Sequence, residues 1–211
     1  MKLLAGETFE VRGVLNVSAG TLTCKTGQFP RSYLAEDALA EDAVELTELR
    51  VWDDLAALLP GVAATDDLAI IEGTWAANAP RVQSADAKAT TVTQRLRFRR
   101  RLPENYVAAG DVTLRVRAGM ITTASDGTAT VDVECCADDE DGGVSADLCA
   151  TPAQPINSLD KADCDFVITP TALAPGVVLD FRVTIAITDT ETGTAVIGEI
   201  SRMALLRDVK G

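Results

Sequence analysis

The sequence of 211 residues predicts a mainly β protein: an antiparallel β-sandwich over residues 66–211, preceded by an N-terminal segment, residues 1–65, that contains strands and a short helix. Three observations carry this. About seven runs beyond residue 65 have β character, and no convincing long helix lies among them. Apolar and polar residues alternate with period two in the longest runs. Turn residues fall between the runs, at Ser125-Asp126-Gly127, Asp141-Gly142-Gly143, Ala174-Pro175-Gly176 and Glu191-Thr192-Gly193.

Residues 7–26 alternate loosely through Phe9, Val11, Val14, Leu15 and Val17, which predicts one or two strands joined at Ser18-Ala19-Gly20. From Ser32 to Leu59 the chain turns rich in Ala, Leu, Glu and Asp. Trp52 to Leu59 carries apolar residues at helical spacing before Pro60, so a short helix is expected to end at Pro60-Gly61. Val62 to Asp67 then reads as a connector. Strands are expected at residues 68–76, 90–102, 111–120, 128–137, 165–170, 177–188 and 195–207.

Faces can be assigned within these strands. Leu96 and Phe98 oppose Arg95, Arg97 and Arg99; Val112, Leu114 and Val116 oppose Thr113, Arg115 and Arg117; Val131, Val133 and Cys135 oppose Asp132 and Glu134. Leu179, Phe181, Val183, Ile185 and Ile187 share one face over five positions. One apolar and one charged face per strand is the pattern of two sheets packed together with wet outer surfaces.

Composition removes several functions. The chain has no His, which excludes Ser-His-Asp and Cys-His nucleophile systems, His-ligated zinc and an imidazole switch. With two Trp, two Tyr and five Phe the core must be aliphatic, and few stacking platforms remain for sugars or single strands. The net charge of −13 opposes non-specific nucleic-acid binding. The apolar run after Lys2 breaks at Gly6 and Glu7, too soon for a signal peptide, and no run approaches a membrane span, so a soluble protein without a secretion signal is expected. Five cysteines without a CxxC pair indicate neither a disulfide framework nor a thiolate zinc site.

Asp138, Asp139, Glu140 and Asp141 before Gly142 and Gly143 resemble a cation loop, but the spacing fails the EF-hand pattern, and a solvated hairpin tip is the plainer reading. Nine of the 19 basic residues lie between Arg81 and Arg117, against three acids, leaving 10 minus 29, or −19, elsewhere. Arg95, Arg97, Arg99, Arg100 and Arg101, with Arg115 and Arg117, therefore form a candidate stripe, in which Arg95, Arg97, Arg99, Arg115 and Arg117 are the candidate interface residues. It has three readings: pairing with carboxylates in the same chain, a protein partner's surface, or phosphate. Trp52, on an acidic segment, is a candidate interface anchor beside them. Cys135 reads as a buried small hydrophobe, and Cys149 has no partner to activate it. No carboxylate pair stands out for hydrolysis, and GxxxxGK[ST] and a strand-borne GxGxxG are absent, so no enzyme, metal or cofactor is predicted.

The passages FRRRLPENYVAAGDVTLRVRAGM and GVVLDFRVTIAITDTETGTAVIGEI, within residues 90–211, resemble virion structural proteins of tailed bacteriophages, in particular jelly-roll capsid decoration (cement) proteins. The resemblance rests on an arginine-bearing strand, the Leu102-Pro103-Glu104-Asn105-Tyr106 turn, the Gly110-Asp111 lead-in and the stretch from Gly193 to Gly198. It implies a jelly-roll sandwich made in the host cytoplasm that binds the outside of a capsid shell through the major capsid protein, often as a trimer, with the N-terminal segment helping to anchor it. It transfers no active site. A receptor- or carbohydrate-binding sandwich of a phage tail or fibre shares the fold and would place its ligand on loops such as 138–147 or 151–163. An acid-catalysed hydrolase is a third, weaker expectation.

Overall fold

Ten strands form two antiparallel sheets in a computed structural model that describes residues 38–122, 127–138 and 141–210. They are β1 (Ala38–Ala43), β2 (Ala69–Ile71), β3 (Arg81–Gln83), β4 (Thr90–Arg101), β5 (Val112–Thr122), β6 (Thr128–Ala137), β7 (Gln154–Pro155), β8 (Ala162–Ile168), β9 (Val178–Asp189) and β10 (Ile197–Val209). One sheet runs β2-β3-β10-β5-β8, with β1 also paired to β10; the other runs β4-β9-β6-β7. Strands β3 to β10 are thus dealt between the sheets in the order 3-10-5-8 against 4-9-6-7. That is the eight-stranded jelly-roll arrangement of two interleaved Greek keys.

The inward faces are those that the alternation predicts. Leu96, Phe98, Val112, Leu114, Val116, Val131, Val133, Cys135 and the five-residue set from Leu179 to Ile187 are all buried. Between the sheets the Phe98 and Phe181 rings stack at 4.9 Å with 13° between planes, on strands in direct register, Phe98 opposite Phe181. Cys135 faces this core as a small hydrophobe, and burial pushes its thiol far above the ordinary range. Close approach of the sheets sets one glycine: a Cβ on Gly198 would stand 2.8 Å from Ile185 Cγ2, where β10 shifts register between Ile197 and Gly198.

The turn that follows β4 is built on Tyr106. Its ring is fully buried, its hydroxyl donates to the Gly110 carbonyl at 2.5 Å, and burial pushes its pKa up to about 12. The Leu102–Tyr106 turn and the Gly110-Asp111 lead-in are therefore one corner that turns the chain from one sheet into the other.

Residues before 66 differ most from expectation. The strands expected at residues 7–26 lie outside the described residues. The Ala/Glu/Asp-rich run yields β1, paired along Ala204 to Val209, followed by a single 3-10 turn, Leu46–Glu48. No helix forms over Trp52–Leu59. Asp54 caps a local turn instead, its Oδ1 accepting from the Ala56 N–H at 3.1 Å and its carbonyl from Ala57 at 3.0 Å, the competition by which Asp diverts a backbone from helix. Val44, Leu49 and Leu59 lie in the same core as the strands. The strand expected over 68–76 shortens to Ala69–Ile71 because the chain turns at Gly73 and Ala76, both at positive φ.

At the rim Arg100 donates to both Glu48 oxygens, at 2.7 and 2.6 Å, and holds that carboxyl below its ordinary value. Arg115, through two 2.7 Å bonds, does the same for Asp165. A depressed folded-state pKa means stability that is fully present above the ordinary carboxylate range and lost as pH falls through the lowered value. The melting temperature is therefore expected to fall as pH drops from about 6 to about 3. Glu48→Gln should flatten that profile; an unchanged profile in the variant would remove the Arg100 pair from the account.

Candidate functional site

The outer face of the four-stranded sheet carries a cluster of paired polar side chains with an aromatic among them. Its floor comes from alternation: Arg95 and Arg97 on β4, Asp180 and Arg182 on β9, and Glu134 and Cys136 on β6 project outward on three neighbouring strands. Trp52 is brought over this floor by the backbone at residues 50 and 66–68, which flanks β4: Arg50 and Arg97 exchange N–H···O bonds of 2.8 and 3.0 Å, and Arg95 bonds to Asp66 and Leu68. The indole Nε1 donates to Asp66 Oδ2 at 3.1 Å. The Arg95 and Arg182 guanidinium carbons then lie 5.1 and 5.6 Å from the ring centroid, within cation–π range.

Trp52, Arg97, Glu134, Cys136, Val144, Asp180 and Arg182 line a cleft of about 330 Å³. Its charges are fixed in pairs. Arg97 makes a fork to Asp180, Nε to Oδ1 at 2.8 Å and Nη2 to Oδ2 at 2.5 Å, and the Asp180 side chain is only 12% exposed. Arg182 Nε donates to Glu134 Oε2 at 2.5 Å. Two cations and two carboxylates make a cleft of zero net charge in a strongly acidic protein. The Asp180 bond is the largest cause of a raised Arg97 pKa, so the guanidinium stays charged.

The five candidate arginines separate into three groups. Arg97 and Arg99 both reach Asp180, and Arg99 also binds Asp138. Arg115 and Arg117 lie on the outer face of the other sheet, paired with Asp165 and Asp163. Arg95 packs on Trp52. The stripe is thus divided between two faces, and six of its seven members hold carboxylates of their own chain, Arg100 pairing with Glu48 and Arg101 with Glu104. Asp132, the other expected outward acid of β6, has its carboxyl raised, chiefly by desolvation. Of the expected ligand loops, 138–147 contributes Val144 to the cleft. The stretch 151–163 contributes β7 to the edge of this sheet beside β6 and then crosses to the other sheet, where the Ser158 carbonyl accepts from Met120 N–H at 2.7 Å; none of its residues lines the cleft.

Other chemistries find no assembled site among the described residues. No cluster of three or more His, Cys, Asp or Glu is placed to hold a metal; Asp138 of the acidic loop binds Arg99, while Asp139 and Glu140 lie outside the described residues. Cys135, Cys136, Cys149 and Cys164 are free, and desolvation raises all four thiols, the opposite of nucleophile activation. No described helix is long and apolar enough to cross a membrane. Sequence reasoning missed Asp180 as the carboxylate of the site, although its outward parity on β9 was visible once Leu179 and Phe181 were placed inward.

No known family and no curated protein matches the chain. Among solved structures it is similar to an arabinose-bound GH51 α-L-arabinofuranosidase (13% identity, TM-score 0.41, 83% of this chain and 25% of that one). It is also similar to the CBM22-1-GH10 modules of Clostridium thermocellum endo-1,4-β-D-xylanase 10B complexed with xylohexaose (12%, 0.43, 82% and 29%). A third is the CBM22-1 xylan-binding domain from Paenibacillus barcinonensis Xyn10C (10%, 0.38, 82% and 99%). The chain spans under a third of the first two. At these scores no residue role and no ligand passes from them to this chain.

Proposed function

We propose that the protein is a non-enzymatic binding module and that the cleft across the outer face of β4, β9 and β6 takes a neutral saccharide. The carrying observation is the charge-balanced floor, Arg97–Asp180 and Arg182–Glu134, beside the Trp52 indole. A guanidinium has five donors and a carboxylate about four acceptor sites, so each pair keeps hydrogen-bonding capacity for hydroxyls after binding its partner. Zero net charge gives a phosphate or sulfate no advantage, whereas a polyhydroxylated ring needs donors and acceptors together. The indole supplies an apolar wall of the kind that orients a ligand in a small cleft. Mutual pairing fixes these groups beforehand, which lowers the ordering cost of binding.

The test is a glycan screen followed by titration calorimetry. Trp52→Ala is expected to weaken the best ligand at least about tenfold, the effect of losing roughly 1.4 kcal/mol of contact, with cooperative unfolding retained. Absence of any glycan ligand, or equal affinity in the variant, would overturn the assignment.

A second reading, a decoration protein on a phage capsid shell, is supported by the placement of the passages that carry the resemblance. They cover the last four residues of β4, most of β5, all of β9 and the first four residues of β10, a framework placement in both sheets that fits an architectural role. Shell attachment would gain strength from symmetry-repeated contacts. Co-pelleting with undecorated shells at a stoichiometry set by shell symmetry is the expected result; a chain left in the supernatant would end this reading.

A further inference from the structure

Away from the saccharide cleft, the loop after β2 holds Trp75 98% exposed. The loop is built rather than loose. Ala77 and Asn78 N–H groups both donate to the Thr74 carbonyl at 2.9 Å, Gly73 has φ 76°, and a Cβ there would stand 2.3 Å from the Asn78 carbonyl oxygen. Ala76, with φ 63°, occupies the left-handed region that costs a residue with a Cβ. Strained, hydrogen-bonded backbone thus presents the largest apolar side chain to solvent, where its burial elsewhere would be favourable.

Next to it lies a groove of about 390 Å³ whose apolar lining includes Leu46, Leu58, Leu59, Ile70 and Pro80. The groove and the hollow around Trp75 share Glu72 and Pro80, so knob and groove lie on one face. Leu58 of the groove is 61% exposed, and Val62, which follows the lining residue Gly61, is 79% exposed. Glu72 is the one charged residue lining either hollow. On a chain of net charge −13, two copies repel over most orientations, and a patch whose knob and groove carry one charged side chain between them, beside the Arg81/Lys161/Glu199 cluster, is where they approach at least cost.

We infer that this face is a self-association surface: across a two-fold axis, Trp75 of each copy enters the Leu58/Ile70/Pro80 groove of the other. The pairing is isologous, because the knob and the groove belong to the same patch and each copy supplies both. Two indoles, each burying roughly 150–250 Å², with the surrounding leucine and valine side chains, put the interface at the small end of specific contacts. The dimer is therefore weak and concentration-dependent.

Sedimentation velocity on the full chain from about 1 µM to several hundred µM tests this range of affinity. The mass is expected to rise from one chain to two. Trp75→Ser and Leu58→Glu, both at exposed positions, should each shift the association at least about tenfold to higher concentration. In a Trp52→Phe background, emission from Trp75 should move to the blue as the dimer forms. A mixture of the Trp75→Ser and Leu58→Glu variants, which retains one intact knob and groove, should associate more than either alone. The inference is overturned by a single-chain mass throughout, by association that survives Trp75→Ser, by a three-chain mass, or by blue emission independent of concentration, which would mean that the chain covers Trp75 itself.

Discussion

Phe181→Ala is expected to destabilise the fold by about 3–5 kcal/mol, the range for removing a buried aromatic from a packed core. Phe181 is fully buried on β9, a strand with neighbours on both sides in its sheet, and it stacks on Phe98. Its loss removes transfer energy and the stacking contact, and leaves a cavity between two sheets that are pinned by their ladders and cannot collapse into it. Val167→Ala is the matched control. Val167 lies 50% exposed on β8, where a truncation stays within about 0.5 kcal/mol. Urea unfolding followed by circular dichroism measures both. A loss under about 1 kcal/mol for Phe181→Ala would mean that the two sheets close over the space, contrary to the packing described.

Period-two alternation made the long strands legible, since a buried face leaves its mark at every second residue, and β4, β5, β6, β9 and β10 lie close to where the sequence places them. The short strands were not legible. β3 and β7 have three and two residues, too few to show a period, and β1 is spelled in residues that favour helix. What makes ALAEDA a strand is its partner: it lies along β10 from Ala204 to Val209, and tertiary pairing overrides a weak local preference. The site was half legible for the same reason. Parity put Arg97 among the candidates and turned Glu134 outward, and Trp52 stood out as an aromatic on an acidic segment, but which carboxylate meets which arginine depends on strand order. β9 sits between β4 and β6, so Asp180 takes Arg97 and Arg99, while Glu134 is left to Arg182. Asp132 and Glu134, the outward acids of β6, are separated from the β4 arginines by β9.

That strand order gives Arg97→Glu a larger effect than a surface charge reversal. The substitution sets a second carboxylate against Asp180, whose side chain is 12% exposed and which loses both bonds of its fork. Breaking a fully buried pair costs 3–5 kcal/mol and an exposed pair under 1. This pair is intermediate, with Arg97 a third exposed, and a loss of about 2 kcal/mol is expected. Arg99, at 3.7 Å from Asp180, limits the damage by holding the orphaned carboxylate. Arg115→Glu, by comparison, breaks a pair at the exposed surface of the other sheet and should change stability far less. Exchanging the charges, Arg97→Glu with Asp180→Arg, should recover part of the lost stability, because opposite charges again face each other across β4 and β9. Saccharide affinity should not return with it, since the donors and acceptors then occupy exchanged positions beneath Trp52. Recovery of stability without binding separates the fold's need for the pair from the ligand's need for its orientation. Recovery of both would show that the cleft requires only balanced charge, and no recovery of either would show that Arg97 acts through contacts other than Asp180.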